Sequence, residues 1–121
     1  MRLDFDLRQC LPTLHLMHSR KKCRRLVERL GWKWDPLEAD ALTMCGWGRD
    51  DDFHAVVLME ADGPWHADAA LLAHESVHVA EATARQLGVD DEEFLAYMVQ
   101  GVSQALFEGH DRWKRKHGPS A

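Results

Sequence analysis

The chain has 121 residues, 45% of them hydrophobic, and a formal net charge of −5. That length supports a single domain over 1–121 with a modest core and is too short for two. The acidic balance argues against nucleic acid as a general partner. No apolar h-region follows Met1 and no apolar run approaches a membrane span, so a soluble, cytoplasmic protein is expected. Three cysteines (Cys10, Cys23 and Cys45) form no C-x-x-C pair, and their odd number argues against a disulfide framework. Each reads as a small buried hydrophobe.

Taken in order, Thr13 to Leu30 reads as a first helix, with Leu16, Cys23, Val27 and Leu30 on one side, Thr13 as its cap and Gly31 as its stop. Trp32, Trp34 and Pro36 make an irregular aromatic connection. Ala41–Trp47 and Phe53–Glu60 read as two strands around the polar turn Gly48-Arg49-Asp50-Asp51-Asp52. Ala61-Asp62-Gly63-Pro64-Trp65 then turns the chain into a second helix, with Asp68 as N-cap and Gly88 as C-terminal stop. A short turn leads to a third helix over Asp91–Phe107. Two helices so briefly joined must pack nearly antiparallel. Basic runs lie at 18–25 and in a C-terminal tail at about 110–121. Such runs are mostly solvated surface, although they suit phosphate or an acidic partner. The layout is α+β and helix-rich, with a small antiparallel sheet packed on the second helix.

That second helix carries His74-Glu75-Ser76-Val77-His78, an H-E-x-x-H. Histidines four apart share a helix face, so both imidazoles reach one ion. A glutamate beside the first can take a proton from metal-bound water. The helix is apolar nearly all round, which predicts burial of these polar groups and so a need for partners. With eight histidines in the chain a chance match is less rare than usual, and the helical context is what gives the motif weight. The other histidines (His15, His18, His54, His66, His110 and His117) read as surface or singly hydrogen-bonded.

A catalytic zinc ion takes three protein ligands. The H-E-x-x-H-x-x-G-x-x-H route is excluded, because Glu81 and Ala84 stand where glycine and histidine are required. The other route is a glutamate on the next helix. Glu93-Phe94-Leu95-Ala96-Tyr97 resembles the E-x-x-A element of gluzincin-like peptidases, including the ImmA/IrrE group. With H-E-x-V-H it is also similar to small phage- and prophage-encoded proteins. The likeness covers roughly residues 68–107. It implies a minimal zincin-like domain with Zn2+ on His74, His78 and Glu93, and Glu75 as general base. Glu81 and Glu92 are rival ligands, and Asp90-x-x-Glu93 also reads as a capping box that needs no metal. Tyr97, Gln100 and Gln104 follow Glu93 at helical spacing. They either line a cleft, with Tyr97 as an oxyanion donor, or form a solvent face.

The resemblance implies a metallopeptidase acting on a peptide or protein, in which Phe53–Glu60 either pairs with extended substrate or is a purely structural sheet edge. Two other readings stand beside it. One is a catalytically idle zinc protein that binds a host or regulatory partner. The other is a metal-free module whose basic faces bind nucleic acid or an acidic protein.

Overall fold

The computed structural model describes residues 12–35 and 39–117. Its elements are β1 (Thr13–Met17), α1 (Arg20–Arg29), β2 (Ala41–Trp47), β3 (Phe53–Met59), α2 (Trp65–Leu87) and α3 (Glu92–His117). The α+β class and the two predicted strands are observed. Cys10 and Pro36 fall outside the described residues.

The strand order is β1-β3-β2, with β2 antiparallel and β1 parallel to β3. The sheet is therefore mixed, where a purely antiparallel one was expected. β1 occupies the first five residues of what read as one long helix. Leu14 and Leu16 alternate with Thr13, His15 and Met17, and this period of two is used against β3. Helix α1 begins only after Ser19, whose hydroxyl accepts from the Lys22 amide.

β3 is central and buried on both faces. Val56 and Leu58 pack with Cys23, Leu26, Val27 and Leu30, which places α1 on one face of the sheet. Ala55, Val57 and Met59 pack with Leu72 and Val79 of α2 and Val102 and Leu106 of α3, on the other. A strand covered on both faces reads as a continuous apolar run, as Ala55–Met59 does. The position of β3 also corrects the expectation that it is a sheet edge, whether peptide-receiving or purely structural. Both its edges are paired, so only β1 and β2 have an outer edge. Leu72 has no exposed surface, and Leu72→Ala is expected to cost about 2–5 kcal/mol, read by urea denaturation.

Two helix boundaries differ from expectation. α2 begins at Trp65, with Pro64 at the cap position, and Asp68 lies inside its first turn. The Asp68 carboxylate reaches back to the Gly63 amide at 3.0 Å, satisfying a donor just ahead of the helix. At α3 the capping side chain is Asp91, accepting from the Phe94 amide at 3.0 Å, in place of Asp90. Gly88 ends α2 as expected, at φ 68°, and the Val89 amide bonds to the Ala84 carbonyl to close the turn. A Cβ at Gly88 meets nothing within 4 Å, so Gly88→Ala should cost only the left-handed backbone penalty, about 1–2 kcal/mol in thermal unfolding. The basic residues 110–117 are not a separate tail but the last turns of α3.

Candidate metal centre

Helix α2 presents His74 and His78 one turn apart, and their Nε2 atoms converge to 3.1 Å. Two zinc–nitrogen bonds of about 2.0–2.1 Å at a tetrahedral angle place the nitrogens about 3.3–3.4 Å apart. The pair thus lies within a few tenths of an ångström of a shared-ion geometry. It does not lie in the core. The His74 side chain is 67% exposed, and His78 and Val77 are exposed too. The buried face of α2 is instead Asp68, Leu72, Glu75, Ser76, Val79, Ala80, Thr83 and Ala84. Ala73 and Val77 made the helix look apolar all round, but the sheet and α3 cover only one side of it.

Glu75 is the buried one of the three motif-defining residues, 4% exposed. Thr43 of β2 donates to Glu75 Oε1 at 2.9 Å, and Oε2 lies 3.9 Å from His74 Nε2. Every side-chain polar atom sealed from solvent in the described residues has a partner. Oε2 has no hydrogen-bond partner among them, so it is the oxygen that remains open to solvent. One oxygen is anchored on the sheet while the other is open to solvent beside His74, the disposition a general base requires.

The downstream glutamates are placed differently. Leu87, the last residue of α2, is nine positions beyond His78, about 13.5 Å of helix rise. Glu93, in the first turn of α3, lies past that end and is exposed. The structure does not bring Glu93, Glu92 or Glu81 to the imidazoles. Among the described residues, only Asp50, Asp52 and His54 place three ligand atoms within 4.8 Å of one another. Glu81 does share the exposed stripe of α2 with His74 and His78, one turn further on. Tyr97, Gln100 and Gln104 are exposed, while Met98, Val102, Leu106 and His110 form the buried stripe of α3. The Tyr97 stripe is thus a solvent face of α3.

No protein-family model, curated protein or solved structure matches the chain.

Two side-chain relays run through four of the other histidines. His15 and His18 each make one side-chain hydrogen bond, as expected of surface or singly hydrogen-bonded groups, whereas His54 and His110 are buried and bonded through both nitrogens, against that expectation. In the first, Asp50 accepts from His54 Nε2 at 2.9 Å, and His54 Nδ1 meets His15 Nε2 at 3.0 Å. The Asp50–Asp52–His54 set belongs to this turn: Asp50 also accepts from the Asp52 amide, and both His54 nitrogens are already engaged. The hydrogen bond from His54 holds the Asp50 carboxyl below its ordinary range. In the second, buried Asp68 accepts from His110 Nε2 at 2.8 Å and from Lys114 Nζ at 2.7 Å, and His110 Nδ1 meets His18 Nε2 at 2.9 Å. The signal that could have revealed this second relay was Asp68 and His110, two polar residues within apolar helical stripes.

The two cysteines within the described residues are free, and burial pushes both thiols up to about 11. That removes them as nucleophiles at neutral pH.

Proposed function

We propose that this chain is a zinc-dependent metallopeptidase of the gluzincin-like kind, as its motif resemblance implies. The observation that carries the reading is the 3.1 Å approach of His74 and His78 Nε2 beside a buried glutamate anchored on the sheet. His74 and His78 would hold the ion, which when bound supplies a polarised carbonyl and an acidified water. Glu75 receives the water proton on Oε2 and passes it to the leaving amine, while Thr43 fixes the other oxygen. An extended substrate would lie along the outer edge of β2, whose Thr43 already contacts Glu75. For the third ligand, Glu81 lies on the histidine stripe one turn beyond His78, whereas Glu93 lies past the end of α2 in the first turn of α3.

Metal analysis of untagged protein tests this. About one zinc per chain is expected, lost in His74→Ala and His78→Ala. Loss in Glu81→Ala with retention in Glu93→Ala would identify the third ligand, and the reverse would restore Glu93. No metal in the wild type after zinc is added back would end the reading. A second reading, a catalytically idle zinc protein, is favoured by the exposure of the histidine pair and, among the described residues, the absence of a third ligand atom close to both imidazoles. Its signature is bound zinc without peptide hydrolysis.

A further inference from the structure

At the end of the molecule where β1 meets the last turns of α3 lies a cavity of about 540 Å³, lined among others by Leu16, His18, Arg112, Trp113, Lys116 and His117. Four cationic side chains occupy positions 112 to 116 of α3. Lys114 is paired with Asp68 and Asp62, and Arg115 with Asp111. Arg112 and Lys116 have no acidic partner among the described residues, and both line the cavity.

The third element is His18. Its ring lies flat on Trp113, with centroids 4.1 Å apart and planes 3° apart, and Nε2 is tied to His110. The direction of the relay follows from the donor inventory with neutral rings. Asp68 only accepts, so His110 donates from Nε2 and accepts at Nδ1 from the Nε2–H of His18. That leaves the Nδ1 lone pair of His18 without a protein partner among the described residues. Since every sealed polar atom is satisfied, this nitrogen is open to solvent. Burial, with His110 and His117 nearby, lowers the His18 value to about 4, so the ring is neutral at pH 7. The cavity therefore combines two unpaired cations with one fixed hydrogen-bond acceptor.

We propose that this cavity binds a phosphate group that still carries a proton, either inorganic phosphate or a phosphomonoester. Arg112 and Lys116 take the charged oxygens, and His18 Nδ1 accepts from the P–OH. Sulfate at neutral pH and the phosphodiesters of nucleic acid have no such proton and would set a lone pair against His18 Nδ1. The proposal is independent of the metal centre, which lies on the exposed face of α2.

The test is calorimetric titration of the full chain at pH 7 with inorganic phosphate, a nucleoside 5′-monophosphate, sulfate and a single-stranded oligonucleotide without terminal phosphate. Inorganic phosphate always carries a P–OH at pH 7, whereas a phosphomonoester, with its second pKa at about 6, is mostly without one and takes up a proton on binding, so the two phosphates distinguish the two sources. At least one of them should bind about ten-fold or more tighter than sulfate, and in Arg112→Gln/Lys116→Gln its affinity should fall about ten-fold or more. Both substituted residues lie at the helix surface, so this variant should unfold like the wild type. His74→Ala should bind phosphate unchanged. Equal binding of sulfate, tighter binding of the oligonucleotide, no binding of either phosphate at millimolar concentration, or no effect of the double variant would each overturn the proposal.

Discussion

Asp68→Ala is expected to destabilise the fold by about 3–5 kcal/mol, the usual cost of removing one partner from a buried charge pair. Asp68 is 1% exposed, and its carboxylate receives Lys114, His110 and the Gly63 amide. It thereby joins the start of α2, the end of α3 and, through His18, the chain just after β1. Its loss strands His110, which is sealed from solvent, with an unmatched donor. Asp68→Asn keeps the shape, but its amide cannot serve both Lys114 and His110, so an intermediate loss is expected. Urea denaturation at pH 7 measures both, and a change under 1 kcal/mol (roughly the worth of an exposed pair) would show the network to be incidental.

The two relays together set the response to acid. Burial lowers His18 to about 4, with His110 and His117 adding to it, and His15 is lowered in the same direction, chiefly by burial. The unfolded chain therefore takes up protons near 6.5 that the folded chain refuses. This contribution is complete above 6.5 and is lost as pH falls towards 4. For Asp68, burial pushes the carboxyl up, but the hydrogen bonds from Lys114, His110 and Gly63 outweigh it and hold it low. Its contribution persists above the ordinary carboxyl value of 3.8 and is lost only below it. Stability should fall in two stages on acidification, and His18→Phe, which keeps a ring on Trp113, should flatten the first. A flat profile between pH 6.5 and 4 in the wild type would contradict it.

Glu75→Gln is expected to lower peptide hydrolysis by about 10²–10⁴-fold while leaving zinc bound, since a positioned base contributes on that scale. The substitution is nearly isosteric, and the amide oxygen can still accept from Thr43, so the fold should hold. The comparison needs zinc content and turnover from the same preparation. Undiminished turnover would remove Glu75 from the reaction. Absence of turnover in the wild type, with zinc present, would favour the idle protein.

Much of this architecture is legible in local sequence, and the remainder is not for identifiable reasons. β2 and β3 stand out because a polar five-residue turn separates two apolar runs. β1 is hidden because Leu16, Cys23, Val27 and Leu30 happen to fit a helical period that continues through it, and its partner is remote in the chain. The i, i+4 spacing of His74 and His78 is enough to place their nitrogens together. Their exposure depends on which side of α2 the sheet covers, and sequence period alone does not say this. Asp68 reads as a cap because its contact with the Gly63 amide is local, whereas its side-chain partners are contributed by α3. Glu93 is the converse case, a local motif match whose distance from the imidazoles is set by the length of α2 beyond His78.

The parallel pairing of β1 with β3 also governs the order of assembly. β2 and β3 meet across a tight turn and α2 and α3 across a short one, so these pairs form from neighbouring chain. β1 must close a loop of about forty residues to reach β3. It should dock last and detach first, which makes its amides the fastest to exchange with deuterium within the sheet. Since His15 and His18 accompany that strand, its release would disconnect the outer end of both relays while the histidine pair of α2 stayed in place.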